Sequence, residues 1–283
     1  MFGFKEAGIV GINKRNLDFV LAHNRRKFYP NADSKLKTKE IALSLGLNVP
    51  DLFANIRYQY EVKQFEDIVQ PYDKFVVKPD RGSGGDGILV IIEKVMAGYK
   101  KASGNIMSRQ ETRYHLQNML SGMYSLGGHD DTIVIERMVE FDPIFDEIAY
   151  QGVPDIRLIV LEGKVLMGML RLPSKASDGK ANLHTGGVGV GIDMDTGITT
   201  TAIQRNRYID VHPETNKPLT GRQIPYWKDM LDMATKMQKA SGLGYIGVDI
   251  VLDKNKGPMI LEINARPGIS IQIANQCGLL SRV

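Results

Sequence analysis

Apolar residues fall in short runs, separated by polar or glycine-rich joints and interrupted by stretches of helical spacing. "SKLKTKEIALSLGLNVP", residues 34–50, predicts a helix. Ser34 is its candidate N-cap, apolar Leu36, Ile41, Leu43 and Leu45 lie near helical spacing, and Gly46 stops it before Pro50. "KFVVKPDRGSGGDGILVI" predicts two apolar strands, 74–79 and 88–92, joined by a glycine loop. A helix is expected over 107–124, and "DTIVIERMVEF" reads as a buried strand running into a connection. "DIRLIVLEGKVLMGMLRLP" reads as a hairpin of 156–161 and 165–172 about a Glu-Gly-Lys turn. The polar "SKASDGKANLHTGGVGVG" reads as a flexible loop. Residues 226–241 form an amphipathic helix ended by Gly242, and a last hairpin covers 245–264. Without regular βαβ alternation, the pattern implies an α+β fold with antiparallel sheets.

With 283 residues, 43% hydrophobic and 24% charged, the chain can bury a substantial core as one multi-lobed domain or two small ones. Its 36 basic and 32 acidic side chains are scattered, which argues against a nucleic-acid tail and suits an anionic small ligand. The lone Cys277 excludes an intramolecular disulfide and points to a reducing compartment. Glycine and charge break the opening apolar stretch too early for a secretory signal, and no apolar run reaches membrane-spanning length. The expectation is a cytoplasmic protein with no membrane insertion.

Three constellations carry chemistry. In the 81–87 loop, Gly82, Gly84, Gly85 and Gly87 flank Ser83 and let free N–H groups form an anion-binding concavity, with Lys78 aimed at a phosphate from the preceding strand. No Gly-Lys-Ser/Thr follows, so this is not a Walker loop, and no helix follows, so it is not a dinucleotide fingerprint. A bland hairpin turn with a solvent lysine is the competing reading. In "YIGVDIVLDKNKGPMILEINARPG", a hairpin centred between Asn255 and Lys256 pairs Asp249 with Glu262. Alternation then puts Val248, Ile250, Leu252, Leu261 and Ile263 on one face and Asp249, Glu262 and Asn264 on the other. Two opposed carboxylates call for a cation, and the donor set suits Mg²⁺ or Mn²⁺; a solvated acidic face is the alternative. The third constellation gathers Arg157, Arg171, Lys180, Asn182, His184 and Arg266, each alone more often surface than site.

In this order the motifs resemble the ATP-grasp superfamily, and most closely its α-L-glutamate-ligase-related (RimK-like) branch, from about Asp33 to the C-terminus. The opening "GINKRNLDFVLAHNRRKFYPNADSKLKTK" resembles that branch as well. The resemblance implies two lobes whose antiparallel sheets sandwich ATP, without the usual N-terminal substrate domain. The expected division is a 1–33 extension, a 34–136 lobe with the glycine lid and a 137–283 lobe with the metal site.

The resemblance further implies that Lys78 and the glycine loop hold the ATP phosphates, with Lys35 a second nucleotide lysine and Lys39 its fallback. Glu136 would meet the adenine amino group, and the backbone near Met138 and Val139 the ring edge. Lys180 and Asn182 match nucleotide-contacting positions. Asp155 matches an acidic one, with Glu147 or Asp146 open as the ribose carboxylate. Asp249, Glu262 and Asn264 match metal ligands, and Arg171 and Arg266 are the candidates for holding the carboxylate and its oxyanion. The implied activity joins a carboxylate, glutamate by resemblance, to an amine of an amino acid, peptide or protein terminus, through an acyl phosphate with release of ADP. A homo-oligomer accords with the resemblance. An ATP-grasp kinase and a catalytically reduced nucleotide-binding scaffold stay open beside the ligase.

Overall fold

A computed structural model describes residues 7–82, 84–177 and 179–283; Ser83, singled out above, lies outside them. The chain divides into two compact units, neither continuous in sequence. One comprises residues 33–36 and 50–139, and the other residues up to 32, 37–49 and 140–283.

The first unit is built on a six-stranded antiparallel sheet ordered β1-β6-β2-β3-β4-β5. Its strands are β1 (Leu52–Ile56), β2 (Phe75–Pro79), β3 (Leu89–Val95), β4 (Gly98–Lys101), β5 (Ile106–Ser108) and β6 (Ile133–Arg137). Phe65, Phe75 and Tyr99 meet edge to face at centroid distances of 5.8–6.1 Å, and Leu116 and Met119 pack into the same core. The latter two come from the helix Arg109–Leu120, which is shorter than the helix expected over 107–124. Met107 lies in β5, and a capping box of Ser108 and Glu111 fixes the helix start.

A seven-stranded sheet, β11-β10-β9-β8-β7-β12-β13, forms the second unit. Its strands are β7 (Asp155–Leu161), β8 (Lys164–Leu172), β9 (Val188–Ile192), β10 (Thr199–Gln204), β11 (Arg207–Ile209), β12 (Tyr245–Asp253) and β13 (Gly257–Asn264). The helix Trp227–Ser241 ends on Gly242 at φ 72° and buries Met230, Ala234 and Met237 in the core. Full burial of each methionine contributes about 1.5–3 kcal/mol. The N-terminal segment belongs to this unit: Asn24 is buried, its Nδ2 donating to the carbonyls of Tyr245 (2.7 Å) and Ala265 (3.0 Å) while its Oδ1 accepts the Tyr245 N–H (2.9 Å).

Three further expectations are corrected. The helix is Lys35–Ser44, but Leu43 is 59% exposed, whereas Lys35, Thr38, Lys39 and Ala42 are buried. Its polar face is the inward one because that face has hydrogen-bonding partners: Lys35 Nζ donates to Gly82 O (2.6 Å) and Thr38 Oγ1 to Asn31 O (3.0 Å). The end of the polar loop is a buried strand, β9, because a strand needs no large side chains when its neighbours cover it. Finally, the β12–β13 register is one residue off near the turn, with Asp253 opposite Gly257, until a bulge at Leu261 restores Asp249 opposite Glu262. Leu261 is accordingly only half-buried and outside the core formed by Ile250, Ile260 and Ile263.

Candidate active site

In the six-stranded unit, antiparallel pairing sets Val76 opposite Glu136 and Lys78 opposite Val134, which leaves Lys78 and Glu136 diagonal on one face. Lys78 Nζ and Glu136 Oε1 form an ion pair, and both residues are buried. Expected at opposite ends of a nucleotide, the two are in contact. Met138 is half-buried and Val139 buried in the segment that follows β6.

The glycine loop is tied at both feet. At its start, Asp131 accepts the Arg81 N–H at 3.0 and 3.1 Å, Gly82 forms an isolated β-bridge with Ser125, and Lys35 holds Gly82 O. Asp80 Oδ1 accepts Ser34 Oγ (3.0 Å) and the Leu36 N–H (2.8 Å), joining the start of the Lys35–Ser44 helix to the same point. At the far foot, His115 Nε2 lies 2.9 Å from Gly87 O and His115 Nδ1 lies 3.2 Å from Tyr124 Oη. A carbonyl only accepts, so Nε2 donates to Gly87 O, and the other ring nitrogen faces the tyrosine hydroxyl. Gly84, Gly85 and Gly87 have φ of 68°, 83° and 76°, and a Cβ on Gly87 would stand 2.6 Å from the Tyr124 ring. His115, Tyr124, Ser125 and Asp131 escaped sequence reasoning because they lie tens of residues from the loop and form no local pattern.

In the seven-stranded unit, strand register assembles an acid–arginine cluster. Asp155 faces Arg171, Arg157 faces Asp249, and Asp249 faces Glu262, so all five share one face of the sheet. Arg171 donates to Asp155 through Nε (2.5 Å) and Nη2 (2.6 Å), and its Nη2 reaches Asp249 Oδ2 at 2.8 Å. Arg157 grips Asp249 from the other side, its Nε 2.6 Å from Oδ1 and its Nη2 on Oδ2. Asp249 thus has two guanidinium groups as partners in addition to facing Glu262 across the strands. Burial pushes the Asp249 carboxyl upward, but Arg157 and Arg171 beside it hold it below the usual carboxylate range. Burial raises Asp155, against Arg171 and together with the neighbouring Asp249 charge. The Arg171 guanidinium is held charged despite its burial by Asp155 and Asp249.

Asn264 Nδ2 lies 3.4 Å from both Asp249 Oδ2 and Glu262 Oε1. Among the described residues no group of three or more His, Cys, Asp or Glu stands at metal-holding distances. The oxygen set here is two carboxylates and an amide, and a half-turn of the Asn264 amide brings its Oδ1 to the same point. With three carboxylates and two guanidinium groups the cluster keeps one negative charge in excess. The residues fit a hard divalent cation that completes its shell with water and phosphate.

The other expected residues make the following contacts. Arg266 rests over the Tyr29 ring at 4.8 Å, and Arg15 Nη1 donates to the carbonyls of Arg266 (3.0 Å) and Pro267 (2.7 Å). Asn182 Oδ1 accepts the His184 N–H (3.0 Å), and the Lys180 N–H donates to Ser177 O (3.1 Å). Asp155, a candidate ribose carboxylate, has both oxygens on Arg171. Glu147 is exposed and meets Arg222 at 3.1 Å, beside an exposed Asp146. Lys39 is buried in the helix Lys35–Ser44.

Two antiparallel sheets, a glycine loop beside a buried lysine and an acid–arginine face define a chain of the ATP-grasp class. It belongs to the sugar-transfer associated ATP-grasp family, whose pattern it matches over residues 14–283. ATP-grasp ligases use ATP and Mg²⁺. The chain is 34% identical over 115 residues to a probable α-L-glutamate ligase of Shewanella baltica, covering 41% of this chain and 27% of that protein. It therefore spans well under a third of such relatives. The fold is similar to a biotin carboxylase in complex with β,γ-ATP from Campylobacter jejuni, with TM-score 0.54, 15% identity, and coverage of 93% of this chain and 46% of that one. A pyruvate carboxylase of Rhizobium etli matches with TM-score 0.52 and 14% identity, over 94% of this chain and 18% of that one. No helix among the described residues is long and apolar enough to cross a membrane.

Proposed function

We propose that the protein is an ATP-dependent carboxylate–amine ligase that activates a carboxylate as an acyl phosphate, releases ADP and forms an amide with an incoming amine. The observation that carries this reading is the clamped Arg171, fixed by Asp155 and Asp249 on the same sheet face as Glu262. A guanidinium held in this way is preorganised for charge that develops during transfer, so it costs little reorganisation when the charge appears.

In the six-stranded unit Lys78 and the N–H groups of Gly82, Ser83, Gly84, Gly85 and Gly87 bind the phosphates, and the main chain at Met138 and Val139 reads the adenine edge. Lys35 pins the foot of the loop, and Glu136 keeps Lys78 in place. In the seven-stranded unit Asp249, Glu262 and Asn264 would hold Mg²⁺, which when bound neutralises phosphate charge. Asp155 and Arg157 orient Arg171 and Asp249, Arg171 and Arg266 hold the substrate carboxylate, and Lys180 and Asn182 contact the nucleotide. Closure of the glycine loop excludes water from the acyl phosphate. The carboxylate is glutamate or another amino acid, the amine belongs to an amino acid, peptide or protein terminus, and the setting is cytoplasmic. A homo-oligomer accords with this reading.

The test is ADP release with ATP and Mg²⁺ across amino acids added singly and in pairs, with product masses. Amine-dependent release and a condensed mass are expected. A phosphorylated product formed without an amine would replace the ligase with a kinase, and ATP binding without turnover would leave a scaffold.

A further inference from the structure

A second feature of the seven-stranded unit is a cavity of about 320 Å³ lined by Leu183, His184, Ile203, Arg205, Asn206 and Ser270. The lining holds an arginine, a histidine, an amide and a hydroxyl over two aliphatic walls, and no carboxylate. Such a composition selects an anion with a short apolar body. Charge sits at the rim and hydrocarbon at the floor, where Ile203 is buried and Arg205 exposed.

Backbone geometry singles out Arg205. Gln204 pairs with Arg207, so Arg205 and Asn206 are the whole turn between β10 and β11, at φ of 48° and 62°. A two-residue turn with both φ positive favours asparagine or glycine, and asparagine is present only at the second position. Arginine tolerates the first position at a conformational cost, and the turn places Arg205 in the lining of the cavity.

Register connects the cavity to the acid–arginine cluster. Arg171 on β8 lies opposite Gly189 on β9, and Gly189 lies opposite Ile203 on β10, so the three share one row and one face. The cavity floor is therefore two strands from Arg171, roughly 10 Å across the sheet. The residue between them is Gly189, where a Cβ would come within 2.8 Å of Leu183 Cδ2 and 3.0 Å of Met169 Sδ, so these two side chains pack over that glycine and wall the cavity on the Arg171 side. On the other wall, a Cβ on Gly268 would stand 3.9 Å from His184 Nε2, which brings the segment after Arg266 and its Ser270 against the cavity.

We propose that this cavity is a subsite for the carboxylate of a small acceptor, an amino acid or short peptide. Arg205 is its principal anion contact, and the cavity floor at Ile203 shares a sheet face with Arg171 two strands away. This assignment rests on the ligase reading for its purpose, but its anion chemistry is testable apart from turnover.

The experiment measures binding of glutarate and of its uncharged diamide, glutaramide, to the full chain by calorimetry at low ionic strength. Parallel measurements use Arg205→Gln and the control Arg207→Gln, which removes the same charge from an exposed neighbour. Glutarate is expected to bind at least tenfold more tightly than glutaramide, and Arg205→Gln to weaken it at least fivefold while Arg207→Gln leaves it within twofold. Absence of glutarate binding, equal binding of the diamide, or equal effects of the two variants would overturn the subsite. The acceptor KM separates the two readings. A ligase whose acceptor KM is unmoved by Arg205→Gln refutes the subsite alone, whereas Arg205-dependent glutarate binding in a protein with no amine-dependent turnover refutes the ligase alone.

Discussion

Arg171 and Asp155 face each other across β8 and β7 and hold each other through paired hydrogen bonds of 2.5 and 2.6 Å, both side chains nearly withdrawn from solvent. A buried bidentate pair is a poor source of net stability compared with apolar packing, yet removing one partner strands a buried charge. Asp155→Ala leaves Arg171 buried with Asp249 as a carboxylate partner, so it is expected to destabilise the protein by about 1–3 kcal/mol and to lower turnover in whatever fraction stays folded. Urea unfolding followed by circular dichroism checks the first, and ADP release per folded molecule the second.

Glu262 gives the opposite signature. It is half-buried at the end of the acid row, so Glu262→Gln is expected to change stability by less than about 1 kcal/mol while lowering ADP release about 10²-fold or more. A thermal melt beside the turnover assay shows both. A soluble Glu262→Gln variant with full activity would refute its assignment as a metal ligand.

For Lys78 the buried pair with Glu136 changes what a simple deletion reports. Lys78→Ala leaves the Glu136 carboxylate buried without that lysine, so a loss of about 3–5 kcal/mol accompanies loss of activity. Combining Lys78→Met with Glu136→Gln is expected to restore most of the stability and none of the ATP turnover. A double-mutant cycle in urea, with ADP release on each member, separates the folding role from the phosphate role.

How much of this was legible beforehand follows from where each signal resides. A hairpin centred between Asn255 and Lys256 predicts Asp249 opposite Glu262, and that pair is present only because a bulge at Leu261 cancels the one-residue shift of the actual turn, which sets Asp253 opposite Gly257. Gly242 as a helix stop and the 245–264 hairpin are written in local residues, and both are present. The inward face of the helix Lys35–Ser44 is not encoded in its spacing, because nothing local reveals that Gly82 O and Asp80 O accept from Lys35. Strand β9 hid behind its glycines, and the pairing of Arg157 and Arg171 with Asp249 needed the register of three strands at once.

The foot of the glycine loop supplies a further test. Gly87→Ala would place a methyl group against the Tyr124 ring at a φ of 76°, where an L-residue is strained by about 1–2 kcal/mol. Weaker ATP binding is expected, with little change in the melting temperature of the unit's core. Tyr124→Phe, which keeps the ring and removes the hydroxyl that reaches His115 Nδ1 at 3.2 Å, should have a smaller effect in the same direction. Fluorescent-nucleotide titration of both variants measures this; equal, unperturbed affinities would remove the loop foot from nucleotide binding.

The central claim is that a substrate carboxylate attacks the γ-phosphate of ATP and expels ADP, and that an amine then attacks the carbonyl carbon of the acyl phosphate and expels inorganic phosphate. It is tested most directly by supplying amino acids labelled with ¹⁸O in their carboxylates and weighing the released phosphate. The account predicts one labelled oxygen carried from carboxylate to phosphate in each turnover, dependent on the amine and absent in the Glu262→Gln variant. Phosphate labelled only from solvent water, or label retained in a phosphorylated product, would contradict it.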